Sequence, residues 1–261
     1  MHTREEKLKA FGRFLDILDE LRVKCPWDRK QTNESLRANT IEETYELCEA
    51  LMNDNQEEIC KELGDILLHI GFYAKIGSEK REFDIKDVCD KLCDKLIFRH
   101  PHVFGDNEVK DANEVSANWE ELKLKEKGGN KRVLGGVPTA LPALIKAYRI
   151  QDKAHNIGFD WENKEEVWAK VKEELNEFET EVSLKDSKKM EAEFGDLLFS
   201  LINAGRKYGI NPENALELTN QKFTRRFNYL EDRTIQKGVS LNKLTLEEMD
   251  ELWDEAKKRG L

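Results

Sequence analysis

The chain has 261 residues with 43 basic and 53 acidic side chains, a net charge of −10 that excludes binding of nucleic acid or an anionic membrane over its whole surface. With 39% apolar and 37% charged residues and only 5 prolines, it can bury one large core or two ordinary ones and favours a helix-rich soluble protein. Five cysteines, an odd number without a CxxC pair, do not make a disulfide framework and suit thiols in a reducing cytoplasm.

Leu8, Phe11, Phe14, Leu15, Leu18 and Leu21 recur at spacings of three and four, which predicts an amphipathic helix over residues 4 to 23. The charged start, Met1 to Glu6, has no apolar signal core. Pro26 stops the first helix, and Cys25 to Glu34 is polar and turn-like. Further helices are predicted at 35–53, 56–77, 84–98 and 112–127, with Asp84 and Asp111 as N-caps. The most apolar stretch, Ile66 to Ala74, is too short to span a bilayer. Glycines cluster at 128–138, which predicts a linker there between domains at 1–127 and 139–261. Helices resume at 140–155, 164–183, 187–208, 212–235 and 245–259. No alternating run of β-branched residues interrupts them, so the expected class is all-α.

The two halves repeat at an offset of 131 residues. Glu42, Glu43 and Glu46 fall on Glu173, Glu174 and Glu177. Glu62, Gly64, Asp65 and Leu67 fall on Glu193, Gly195, Asp196 and Leu198, and Lys91 and Lys95 on Lys222 and Arg226. Chance accounts poorly for acidic, glycine, leucine and basic matches in one register.

On a helix, residues three and four apart share a face, so the EExxE element groups its carboxylates and the ExxD element adds two more. Each ExxD runs directly into an apolar string, Ile66-Leu67-Leu68 or Leu197 to Leu201, so its acids border a core. Four acids there suffer desolvation and mutual repulsion and call for a hard divalent cation, with magnesium the usual one when phosphate completes the shell. Solvated glutamate faces are common, but two paired copies weigh against that reading. A di-iron site wants Glu-x-x-His, and neither copy has it.

Lys222 and Arg226 share a helix face and suit triphosphate oxygens, although salt bridging to nearby acids is the plain alternative. Trp119 with Lys123, and Trp253 with Lys257, recur at an offset of 134 and could stack on a base and reach a phosphate. A core or dimer-contact tryptophan fits them equally. His100-Pro101-His102 reads as a structured loop rather than a zinc site, and Gly135-Gly136 is no P-loop.

EExxE followed by ExxD, twice, with Lys95 to Phe104, Lys222 to Phe227, Cys25-Pro26-Trp27-Asp28 and Gly135-Gly136-Val137-Pro138, resembles the MazG family over essentially the whole chain. That resemblance implies two tandem copies of an all-α nucleoside triphosphate pyrophosphohydrolase helical bundle, usually a tight homodimer. It implies cleavage of nucleoside triphosphates to monophosphate and pyrophosphate with magnesium, manganese being a possible substitute. By the same resemblance Glu174, Glu177, Glu193 and Asp196 match metal ligands with Glu173 beside them, and Lys222, Arg226, Trp253 and Lys257 match nucleotide contacts. The C-terminal copy is the one expected to be active. Ala192 departs from relatives that carry glutamate before Glu193. The first copy keeps Glu42, Glu43, Glu46, Glu62 and Asp65, with Lys91, Lys95, Trp119 and Lys123 on its nucleotide side. A sensing module without turnover, a structural helical dimer and a narrower dUTP/dCTP hydrolase are the alternatives. Cytoplasmic location, with no membrane or nucleic-acid partner, completes the expectation.

Overall fold

A computed structural model describes residues 1–106, 132–236, 238 and 240–261, together with 109–111, 114, 115, 118, 119, 122, 123 and 126. Helices α1 (Arg4–Lys24), α2 (Asn33–Met52), α3 (Gln56–Glu79), α4 (Ile85–Arg99) and the single turn α5 (Pro101–Phe104) come first. Helices α6 (Ala143–Asn156), α7 (Lys164–Leu184), α8 (Ser187–Lys207), α9 (Pro212–Gln236) and α10 (Leu246–Lys258) follow. There is no strand among the described residues, and the protein is all-α as its periodicity predicts. Among the described residues no helix is long and apolar enough to cross a membrane.

Local chemistry sets the helix ends. Thr3 caps α1 through a reciprocal box: its hydroxyl accepts from the Glu6 N–H, and the Glu6 carboxylate accepts from the Thr3 N–H. Asp84 caps α4, accepting from the N–H groups of Lys86 and Asp87 at 2.8 and 3.2 Å. Asp111 accepts from the Glu114 N–H at 3.0 Å, as a cap would, while most of the expected 112–127 helix lies outside the described residues. The second half resumes at Ala143 instead of 140, because Pro142 holds the preceding residue out of helical geometry. The segment at 100–104, expected as a loop, contains a helical turn that starts on Pro101, whose missing N–H costs nothing at the first helical position.

The chain divides into two compact units, Met1–Glu108 and Val109–Leu261. Trp119 and Lys123, which the repeat register attaches to the first copy, fall in the second unit; residues 128–131 of the expected linker lie outside the described residues. In the first unit α2 and α3 form an antiparallel hairpin, as α7 and α8 do in the second. Both hairpins turn in the same way: Asp54 and Lys185 take left-handed φ values of 49° and 58°, and Asn55 and Asp186 then cap the following helix. These positions are 131 apart, the same register that aligns the carboxylates. Leu36 and Val167, also 131 apart, are the two largest fully buried side chains among the described residues. Leu36 packs with Leu18, Phe72 and Ile76, and Val167 with Val171, Leu197 and Ala204.

Arg22 at the end of α1 is buried and fully used. It donates to both carboxylate oxygens of Glu79 at 3.0 and 2.6 Å, to the Gln31 carbonyl at 3.1 Å and to the Asp28 carbonyl. It thereby ties α1, the 28–31 turn and the end of α3 together. Its hydrogen bonds hold the Glu79 carboxyl below the usual carboxylate range. Arg22→Ala strands two carbonyls and a carboxylate, and is expected to lower unfolding stability by roughly 2 kcal/mol, read by urea melts.

Candidate metal and nucleotide site

Helix α7 carries Glu173, Glu174 and Glu177, and α8 carries Glu193 and Asp196. The hairpin faces them toward one another. One carboxylate oxygen each from Glu174, Glu177 and Glu193 lie within 4.8 Å of one another. Glu174 is buried, Glu193 half-buried and Glu177 exposed. Asp196 does not join that trio. It lines an adjoining cavity with Glu174. In the first unit the gathered trio is Glu43, Glu62 and Asp65. Glu46 and Glu42 lie close enough to act electrostatically on Glu43. Each copy thus draws together three of its four expected ligands, with Glu177 and Asp65 the members that differ in register.

The electrostatics show what such a group lacks. Desolvation, then the charges of Glu174, Glu193 and Glu173, push the Glu177 carboxyl above its usual range. Desolvation and the charges of Asp65, Glu46, Glu62 and Glu42 do the same to Glu43. Glu62 is only 2% exposed, and its Oε2 has no hydrogen-bond partner among the described residues. A buried carboxylate oxygen without a donor, beside two more carboxylates, fits a hard divalent cation.

One lysine partly offsets each trio, and the two are not equivalent by register. Lys170, one helical turn before Glu174, reaches Glu173 at 2.8 Å and Glu174 at 2.7 Å. Lys61 reaches Glu62 at 2.8 Å. The matching positions are Asn39 and Ala192. Neither lysine stood out in the motif reading, although the i, i+4 spacing of Lys170 and Glu174 was available as a signal.

The expected nucleotide contacts form a separate group. Arg226 and Trp253 meet, the guanidinium lying 5.6 Å from the ring centroid, and Phe223 stands 5.0 Å from the same ring. Arg226 also donates to the Leu261 carbonyl at 2.7 Å, and Lys257 pairs with Asp254 at 3.0 Å. Lys222 is exposed and makes no ion pair among the described residues. No hydrogen bond or ion pair joins Lys222, Arg226, Trp253 or Lys257 to the acidic trio among those residues. In the first copy's set, Lys123 lies 4.5 Å above the Trp119 ring, and Lys91 and Lys95 on α4 make no ion pair among the described residues. His100 and His102 lie with ring centroids 5.7 Å apart and belong to neither metal-capable group.

Comparison with known proteins gives a consistent match. The model of the MazG nucleotide pyrophosphohydrolase domain fits twice, over residues 31–104 and 162–230, and each stretch contains one EExxE and one ExxD element. The chain is 43% identical over 250 residues to the nucleoside triphosphate pyrophosphohydrolase/pyrophosphatase MazG of Thermotoga maritima, covering 95% of each chain. It is 39% identical over 261 residues to the nucleoside triphosphate pyrophosphohydrolase of Escherichia coli K12, covering 97% of this chain and 99% of that one. An uncharacterized Bacillus subtilis protein, YabN, is 47% identical over 98% of this chain, which spans 53% of that relative.

The raised carboxyl groups have a consequence for stability. A folded-state pKa above the unfolded one contributes stability that is present at low pH and disappears as pH rises through the raised value. The metal-free protein should therefore gain thermal stability when Glu177 is neutralised as Glu177→Gln at pH 7, and the gain should shrink as pH is lowered toward the carboxylate range. Melts across pH, with chelator present, read both effects.

Proposed function

The chain belongs to the MazG nucleotide pyrophosphohydrolase family and is a nucleoside triphosphate pyrophosphohydrolase; from this premise we propose that its C-terminal copy cleaves triphosphates at the α-phosphorus with magnesium. The observation that carries the reading is the convergence of Glu174, Glu177 and Glu193 from two helices within 4.8 Å, with Asp196 on the adjoining cavity. Glu174, Glu177, Glu193 and Asp196 would hold the ion. Bound there, magnesium, or manganese in its place, supplies charge neutralisation for the triphosphate and a more acidic water.

The remaining steps belong to the chain itself. Water adds to the α-phosphorus, the bond from that phosphorus to the bridging oxygen breaks, and monophosphate and pyrophosphate leave. Glu173, exposed beside the trio, accepts the water's proton and returns it to solvent. Lys170, already shared between Glu173 and Glu174, is placed to turn toward incoming phosphate oxygens once a cation relieves those carboxylates. Lys222 and Arg226 stabilise the departing pyrophosphate, and Trp253 and Lys257 complete that side. The first copy, through Glu42, Glu43, Glu46, Glu62 and Asp65, retains a cation site whose own turnover is expected to be lower.

We further read the protein as a homodimer. Phe194, Leu198 and Leu201 form an exposed apolar stripe along α8, and Leu63 and Ile70 on α3 occupy matching positions. Stripes of this length on neighbouring faces of a hairpin suit burial against a second copy. The free cysteines suit a reducing cytoplasm.

Nucleotide labelled at the α-phosphate tests the reaction: monophosphate with unlabelled pyrophosphate is expected, and diphosphate with orthophosphate would contradict it. Glu174→Gln and Glu193→Gln should each lower kcat at least about a hundredfold. Leu198→Glu should shift the sedimentation coefficient toward that of a monomer.

A further inference from the structure

Of the two cations assigned above to the departing pyrophosphate, Lys222 is exposed and Arg226 is half-buried and held. Arg226 Nε donates to the Leu261 carbonyl at 2.7 Å, and the guanidinium lies 5.6 Å from the centre of the Trp253 ring. Its Nη1 and Nη2 make no hydrogen bond among the described residues. An arginine can grip two oxygens of one phosphate through either of two edges, Nε with Nη2 or Nη1 with Nη2. Leu261 closes the first edge and leaves the second. The matching residue of the first copy is Lys95, whose ammonium has no second edge to close.

The Leu261 carbonyl reaches Arg226 because α10 ends in a left-handed turn. Gly260 takes a φ of 81°. Its N–H donates to the Lys257 carbonyl at 3.0 Å, and the Leu261 N–H donates to the Ala256 carbonyl at 3.2 Å. Together these bonds fold the chain back across the last turn of the helix. A side chain at Gly260 would meet no atom within 4 Å, so the position asks for glycine through its backbone and not through lack of space. A β-branched residue is strongly disfavoured at that φ, whereas asparagine tolerates it.

The end of α10 is itself pinned to α9, the helix that carries Arg226. Ala256 is 0% exposed. Glu255 Oε1 accepts from Arg259 Nη2 at 2.8 Å and lies 3.7 Å from Arg233 Nη2 of α9. The Tyr229 ring of α9 has the Arg233 and Arg259 guanidinium groups 5.9 and 5.2 Å from its centre. The carbonyl that holds Arg226 therefore comes from a fixed point and can set the direction of the guanidinium.

We propose that Gly260 and Leu261 are positioning residues for the reaction: the turn that ends α10 holds Arg226 by Nε and thereby presents the Nη1 and Nη2 edge to the leaving pyrophosphate. Neither residue touches substrate; both act through Arg226. This rests on the assignment of Arg226 to the pyrophosphate in the reading of function above.

The test uses the full chain with magnesium and one nucleoside triphosphate, with kcat and KM read from pyrophosphate release. Gly260→Val is expected to lower kcat/KM at least about tenfold, the scale of a misplaced contact to the reacting group. Gly260→Asn should stay within about twofold of wild type. Arg226→Lys keeps the charge but has no Nε for Leu261 to hold, so adding Gly260→Val to it should cost less than about twofold more. A Gly260→Val loss that is equally large in the Arg226→Lys background overturns the proposal, because the turn would then act by another route. Wild-type kcat/KM in Gly260→Val, or an equal loss in Gly260→Asn, overturns it as well. Melts of each variant show whether it is folded. Wild-type turnover in Arg226→Ala overturns instead the role given to Arg226 in the reaction.

Discussion

Repulsion among carboxylates at the edge of a helical hairpin is the constraint around which the rest of this protein is arranged. Bringing Glu174, Glu177 and Glu193 within 4.8 Å raises the energy of the metal-free fold, and a cation bound there would relieve that repulsion. Stability not spent on the fold is thus available for binding. The tight turn at Lys185 and Asp186 keeps α7 and α8 antiparallel, and Val167 and Leu197 lock their facing sides. Without those two devices the acids would have no reason to remain together. Lys170 and Lys61 show a partial internal remedy, one cation per trio placed at a different acid in each copy. A lysine that neutralises one carboxylate leaves the other two in need, so these bridges moderate the charge without removing the site.

Duplication gave the chain two such hairpins, and the copies have diverged unevenly. The turn geometry, the buried Leu36 and Val167 and the acidic trios agree across 131 residues. Around them, Ser200 and Asn203 line a cavity in the second copy, and the residues at their positions in the first are His69 and Phe72, both buried. Side-chain size differs at these positions: a serine and an asparagine in one copy stand where the other has two rings.

Much of this was legible in the amino-acid order. Apolar residues at spacings of three and four located the helices of the described residues to within a few positions, Asp84 announced its cap, and the matched EExxE and ExxD elements contain both trios. Helix ends slipped where a local device was overlooked, as at Pro142 and at the Thr32–Ser35 box that starts α2 early. Asp196 was expected among the ligands of one ion because helix spacing aligns Cβ positions. It lines the adjoining cavity together with Glu174 and stands outside the trio, since spacing does not determine rotamers. The cavity itself, which Trp161 and Asn203 also line, was illegible. Trp161 lies on a turn and Asn203 on α8, and the ion pairs of Asp160 with Arg206 and Lys207 join the two segments. Trp253 and Arg226 do meet, but among the described residues no hydrogen bond or ion pair links that pair to the acids.

Anomalous diffraction from crystals of the full chain grown with manganese tests the central claim most directly. The account predicts a strong anomalous peak bounded by carboxylate oxygens of Glu174, Glu177 and Glu193. Manganese absent from that position at saturating concentration, with the three side chains turned apart, would contradict it.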